Sequence, residues 1–244
     1  MEEKTTRIGW IDALRGLAVA AMIIYHIAFN INDFLNLSLP WLERTMESRF
    51  LEILHTIFVA IFLGLSGICS HLTRRPWGRT IRVLIGAMAV TAVTYAVFPA
   101  QTIWFGVLHC LAVCMALERI GRRWIGKIPP VPGIILSLVL FGITYRISDG
   151  FLLWYRLPAE WYSGGILTAV GFHSPFFQSL DYVPLLPHIF LFSAGVFIGK
   201  LSLPKGKIRC RFLEFLGRHS LAVYLLHQPI IFGVFFLLET LIKG

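Results

Sequence analysis

An arginine and a histidine eleven residues apart, Arg15 and His26, stand in the otherwise apolar run RIGWIDALRGLAVAAMIIYHIAFNIND from Arg7 to Asp33. Both side chains suit chemistry. An imidazole takes and returns protons near neutrality, and a guanidinium orients anions with a fork of donors. At about 100° per residue a helix returns positions eleven apart to nearly the same azimuth. Asp12, Asn30 and Asp33 fall within roughly 40° of that line, so one face is polar from end to end. Leu14, Leu17, Ala21, Ile24 and Ile27 populate the rest. An ionisable group in hydrocarbon costs at least ~2.5–3.5 kcal/mol, so this stripe must face protein or water inside a bundle. It reads either as an active-site helix or as a helix whose histidine is merely a hydrogen-bonded interior residue.

The elements that position these residues follow from composition. The 244 residues are 57% hydrophobic and only 14% charged, with a mean hydropathy of +0.73. A soluble domain carries about a quarter charged residues, so the chain reads as an all-α polytopic membrane protein, one domain over residues 1–244. Seven spans are expected, near 10–31, 51–72, 80–98, 103–119, 131–147, 184–200 and 215–242, each judged against the ~20 apolar residues a bilayer requires.

The net charge of +9 raises nucleic acid as a partner, yet the basic residues sit in short loops. Arg74, Arg75, Arg79 and Arg82 follow span 2, and Arg119, Arg122, Arg123 and Lys127 follow span 4. Lys200, Lys205, Lys207, Arg209, Arg211 and Arg218 lie between or border spans 6 and 7. The alternate connections hold far fewer, which by the positive-inside rule places the N-terminus in the cytoplasm and the C-terminus outside. No nucleic-acid module is visible. Helix 1 lacks a small-residue cleavage site after its apolar run and reads as retained.

The connection 148–183 carries Trp154, Tyr155, Trp161 and Tyr162, rings that favour the membrane–water interface. Within it Gly164–Phe172 is apolar but too short to span, and reads as interfacial or re-entrant. With this topology His26, His55, His109 and His188 fall in the outer half of their spans, with His227 below them and followed by Gln228 and Pro229.

The acids within spans read as few: Asp12, Asp33 and Asp181 at span ends and Glu239 near the outer end of span 7. That argues against a proton-driven carrier, which needs a buried carboxylate near the midplane. No HExxH, GxSxG or P-loop pattern supports a zinc protease, serine hydrolase or nucleotide hydrolase. Cys69, Cys110, Cys114 and Cys210 give no disulfide framework and read as free thiols. Cys110 and Cys114 beside His109 lack the paired second motif of a metal site. On the inner side Arg15, Arg218 and His219 could receive a polyanion such as the phosphates of a coenzyme, or serve as anchors to anionic lipid.

WIDALRGLAVAAMIIYH resembles the first-helix signature of the membrane acyltransferase superfamily. FLGLSGIC (62–69), WFGVLHCLAV (104–113), SLDYVPLLPHIFLFSAGVFIG (179–199) and FLGRHSLAVYLLHQPI (215–230) resemble its branch related to heparan-α-glucosaminide N-acetyltransferase, in a short bacterial-type form. The resemblance implies an enzyme that moves an acyl group, acetyl from acetyl-CoA above all, to a hydroxyl or amine of a sugar or glycoconjugate, with donor and acceptor on opposite sides of a bacterial cytoplasmic membrane. On the matched motifs lie Asp12, Arg15, His26, His109, Asp181, His188, His219 and His227. The resemblance implies His26 as general base helped by His109 or His188, Arg15 on the coenzyme or supporting helix 1, and Asp181 fixing a histidine tautomer or binding sugar hydroxyls. The family's lysosomal enzyme is thought to use a histidine in the loop after helix 1; residues Asn32–Phe50 here contain none, so direct transfer stands beside an acyl-histidine route. Membrane lipids, the glycoconjugate acceptor and a second copy of the chain are the expected partners. A transporter or flippase using the same polar cavity, and a structural membrane subunit, are the competing readings; a carrier would show midplane repeats, and none are visible.

Overall fold

A computed structural model describes residues 8–34, 48–71, 76–97, 99–201, 203, 206 and 210–243. The side chains of Asn30, Asp33 and Glu239, and residues Arg44, Arg74, Arg75, Lys205, Lys207 and Arg209, lie outside the described residues. The chain forms two compact units, residues 1–62 with 204–244, and residues 63–203.

The first unit is built on α1 (Gly9–Phe34). Ile11, Ala18 and Val19 bury one side of α1 and Ala13 is buried as well, while Leu17 and Ile24 stay exposed. Small residues set its closest contact. A Cβ on Gly16 would collide with the Leu213 carbonyl of α7 (Arg211–Arg218), and one on Gly217 with the Asp12 carbonyl. The pairs run in opposite order, so α7 lies antiparallel against the first turns of α1. His219 then breaks the helix, with φ −102° and ψ 18°, before α8 (Ser220–Lys243). The last expected span, drawn from residue 215, therefore began inside a separate short helix. The apolar run LAVYLL after it hides the break. The unit also holds α2 (Arg49–Ile68) up to Phe62.

The second unit takes the rest of α2 with α3 (Pro76–Val97), α4 (Val107–Ile125), α5 (Pro130–Thr144) and α6 (Leu185–Ile198). Helices in lipid gain from close van der Waals packing at small residues. Here Gly195 meets the backbone of Gly64, Gly67 meets the Phe192 carbonyl, and Gly199 meets that of Ile68. The Gly64–Gly195 and Ile68–Gly199 contacts step four residues in the same sense along both helices, so α6 runs parallel to the end of α2. Phe192, Ala194, Val196 and Phe197 of α6 are buried. The connection between α5 and α6 holds a two-stranded hairpin, β1 (Phe151–Leu152) with β2 (Tyr155–Arg156), and short 3-10 turns at Ala159–Tyr162 and Gly165–Ala169.

Among the described residues four helical stretches are long and apolar enough to cross a membrane: Gly9–Ala28, Trp77–Val97, Pro130–Asp149 and Ser220–Leu238. Ile53–Ile68 and Leu185–Ile198 are shorter apolar helices. The protein is thus an all-α membrane protein. The span expected at 103–119 becomes α4, which starts later and runs on through Glu118, Arg119, Arg122 and Arg123. Arginines in a last turn face the negative end of the helix dipole.

Candidate active site

In the first unit the Asp–x–x–Arg–Gly signature has a physical reading. Arg15 lies 3.8 Å from Asp12 one turn earlier, both largely buried. Asp12 stands in the first helical turn, where a carboxylate is favoured by the dipole. Gly16 and the Asp12 carbonyl are two places where the backbones of α7 and α1 come close. Arg218 and His219 occupy the exposed end of α7, next to Gly217 and so next to Asp12. The three residues read as anion-binding therefore cluster around one helix crossing.

His26 stands eleven residues further along α1, about 16 Å away at ~1.5 Å per residue. Its Nδ1 lies 2.9 Å from the Met22 carbonyl. A carbonyl only accepts, so Nδ1 carries the proton and Nε2 the lone pair of the neutral ring. His227 of α8 repeats the arrangement, with Nδ1 2.6 Å from the Tyr224 carbonyl. The two rings meet edge to face at 4.9 Å between centroids. Tyr25 lies against both His26 and His55, at 5.5 and 5.8 Å, and Tyr224 lies 5.5 Å from His227. His227 is buried, and its Nε2 has no hydrogen-bond partner among the described residues. Sequence reasoning assigned His227 no role. Its position on the FLGRHSLAVYLLHQPI motif was the available signal.

The second unit holds the other expected residues. His109 is at the N3 position of α4, and its Nδ1 accepts the Gly106 N–H at 3.3 Å. The proton therefore sits on Nε2, which lies 3.2 Å from Thr91 Oγ1. That hydroxyl donates in turn to the Ile103 carbonyl at 2.6 Å. Both nitrogens of His109 are spent inside the protein, in the place a glutamate takes in a capping box. Asp181 Oδ2 accepts the Val107 N–H at 3.4 Å, so its charge also sits at the start of α4, where the dipole favours an anion. His188 Nδ1 donates to the Pro184 carbonyl at 2.8 Å, which gives it the same tautomer as His26. The structure thus joins Asp181 with His109 at one helix terminus, and His26 with His227 in the other unit.

A further acid escaped the sequence reading. Glu118 is buried at 4% exposure in α4, with its Oε2 3.1 Å from Arg119 Nε. Arg119 Nη2 donates to the Ser70 carbonyl at 2.7 Å. It falls inside the span expected at 103–119, one residue from its end, and was not counted among the acids within spans. Glu118 also borders a cavity of about 90 Å³ between α4 and α6, lined otherwise by apolar groups, Cys114 and Ser193. All four cysteines are free thiols. Among the described residues no three His, Cys, Asp or Glu side chains are grouped to hold a metal ion.

The family described as heparan-alpha-glucosaminide N-acetyltransferase, catalytic, matches the chain over residues 7–229. No curated protein and no solved structure matches it.

Proposed function

This chain belongs to the heparan-alpha-glucosaminide N-acetyltransferase catalytic family, a family of membrane acyltransferases, and on that premise we propose that it carries an acetyl or other acyl group from acyl-CoA to a hydroxyl or amine of a sugar or glycoconjugate. The single observation that carries this reading is the His26–His227 pair. Each ring has its Nδ1–H held by a backbone carbonyl, so each presents Nε2 as the basic atom. His26 Nε2 takes the proton from the acceptor O–H or N–H as that atom attacks the thioester carbonyl. The C–S bond breaks, and the proton leaves with the coenzyme sulfur. General-base help of this kind is worth typically ~10²–10⁴ in rate.

Arg15, with Arg218 and His219 at the same helix crossing, receives the anionic end of the donor. The ~16 Å from Arg15 to His26 along α1 suits a donor whose charged end and reacting carbon are far apart. His188 has the tautomer of a second base, and Asp181 orders the start of α4. The topology that fits the charge pattern has seven spans, N-terminus inside and C-terminus outside, in a bacterial cytoplasmic membrane. Donor binding from the basic side and acceptor binding from the other follow from that topology.

The second reading, a carrier for a sugar- or lipid-linked substrate, gains from Glu118, a buried carboxylate of the kind whose absence had argued against it. The adjoining Arg119 neutralises Glu118, which favours a structural pair. Transfer of radiolabelled acetyl from acetyl-CoA to cell-envelope glycans by the purified protein decides between them. His26→Gln should lose at least ~100-fold of that transfer while CoA still stabilises the protein thermally. Near wild-type transfer by His26→Gln would remove His26 from the chemistry, and no transfer by wild type together with no stabilisation by millimolar CoA would favour the carrier.

A further inference from the structure

Residues 161–180 contain no Asp, Glu, Lys or Arg, yet they fold largely as turns and loops. Gly164 and Gly165 hold φ of 96° and 76°, values that side chains on an L-residue resist. The segment is nonetheless pinned to its own unit. Tyr162 Oη donates to the Ile147 carbonyl and Tyr182 Oη to that of Thr168, each at 2.5 Å. The Leu186 N–H reaches the Val170 carbonyl at 2.9 Å, and the Trp104 N–H reaches Ser179 Oγ at 3.2 Å. Within the segment and at its end Phe172 packs edge-on to Trp161 and Tyr162, and Phe177 to Tyr182.

The outward side is different. Ile166 is 88% exposed and Phe176 92% exposed, with Leu167 and Leu180 partly so. A water-facing loop carries polar residues at such positions, and large exposed apolar patches mark an interaction surface. The surroundings identify the occupant. The segment joins the apolar stretches Pro130–Asp149 and Leu185–Ile198 of one unit, and exposed Trp104, Tyr95 and Trp154, rings suited to a membrane boundary, belong to the same unit.

We propose that residues 161–180 form a folded wedge seated in one leaflet of the bilayer, with Ile166 and Phe176 among the acyl chains and phospholipid as its partner. Irregular backbone is excluded from the hydrocarbon centre because its polar groups need water, so the wedge reaches only the boundary layer, about 5–10 Å below the phosphates. The inference rests on membrane embedding and not on the reading of His26.

Site-directed spin labels test it. Ile166→Cys, Phe176→Cys and Glu160→Cys are made singly in the full chain with Cys69 and Cys210 replaced by serine. The proteins are reconstituted into vesicles of phosphatidylcholine and phosphatidylglycerol. Labels at 166 and 176 should relax with dissolved oxygen and resist a water-soluble nickel chelate, while the label at the exposed, charged position 160 shows the reverse. Nickel access at both 166 and 176 overturns the proposal. Shielding from both reagents also overturns it, in favour of a protein partner.

Discussion

His26 and His227 come from different helices of one unit and meet with ring centroids 4.9 Å apart, each with its Nδ1 against a carbonyl of its own helix. Neither ring can turn its Nδ1 outward without giving up that bond, so Nε2 is the nitrogen on which each ring carries its lone pair. An unsatisfied buried acceptor costs about 1–3 kcal/mol, and His227 Nε2 is one. In the proposed reaction that open acceptor has a chemical use.

If the two imidazoles act together, their substitutions will not add. His26→Gln and His227→Gln should each lower kcat/KM, the second by about 10–100-fold, and the double variant should be little worse than His26→Gln alone. Steady-state rates of the three variants and wild type close the cycle. Strict multiplication of the two losses would make them independent.

His109 should separate from this pair. His109→Gln keeps a side chain able to accept the Gly106 N–H, as glutamine does at N3 of a capping box, so melting and transfer should both stay near wild type. His109→Leu takes the acceptor from the Gly106 N–H at the start of α4, where Asp181 still holds the Val107 N–H, and should cost about 0.5–2 kcal/mol of stability. Thermal melts beside transfer rates check it. Lost transfer with an unchanged melt in His109→Gln would return His109 to the chemistry.

The polar face of α1 and the apolar spans were legible because period and hydropathy are local properties. The Asp12–Arg15 pair was readable from its spacing alone. Other features depend on what a helix meets. Gly16, Gly64 and Gly195 look like any glycine in an apolar run until another backbone lies against them. Glu118 lies within the expected span 103–119, but only the fold shows that α4 continues past it through Arg122 and Arg123 and buries its carboxylate. The break at His219 left no trace because apolar periodicity resumes at once in α8. The role of His109 was partly visible, since Gly-Val-Leu-His places histidine three residues after a plausible N-cap, but depth in the membrane took precedence in the reading.

Glycine packing gives a matched pair of substitutions. Gly195→Val must push α6 away from the Gly64 backbone, and overpacking of this kind costs about 1–3 kcal/mol or more. Gly142 in α5 has nothing within 4 Å of an added Cβ, so Gly142→Ala should be neutral or slightly stabilising. Melting of both in one detergent tests the contrast. Equal melting temperatures would mean that α2 and α6 do not pack at these glycines.

The wedge carries a pH signature. Burial pushes the Tyr182 phenol well above the usual tyrosine range. A raised folded value contributes stability that is complete below the unfolded value, near pH ~10, and is lost as pH rises through the folded value. Tyr162 is displaced in the same direction by burial and by Asp149. Tyr182→Phe should therefore melt about as wild type does, less one hydrogen bond of ~0.5–1.5 kcal/mol, at neutral pH. It should then fall less steeply than wild type above about pH 10. Parallel alkaline limbs would show that Tyr182 keeps water contact in solution.

Lys200 offers the clearest test of whether a basic residue beside a span is only a topological anchor. Its Nζ lies 2.6 Å from the Ile125 carbonyl, 2.9 Å from that of Ile128 and 3.4 Å from that of Gly126. It also stands 4.9 Å from the Phe197 ring centroid. The last carbonyls of a helix lack their intrahelical partners, and here a lysine two residues past α6 donates to the Ile125, Gly126 and Ile128 carbonyls of the turn that ends α4. An anchor needs only charge on the correct side of the membrane, so as an anchor Lys200 could be exchanged for any cation. A cap needs this ammonium at this place. Lys200→Met keeps much of the apolar stem and removes the donors, and should cost about 1–2 kcal/mol. Lys200→Arg keeps the charge but cannot place its planar fork on three diverging carbonyls, and should recover only part of the loss. Melting curves of the three proteins, with reporter fusions to confirm unchanged orientation, settle the question. Full recovery by arginine, or a shifted orientation in Lys200→Met, would make Lys200 an anchor after all.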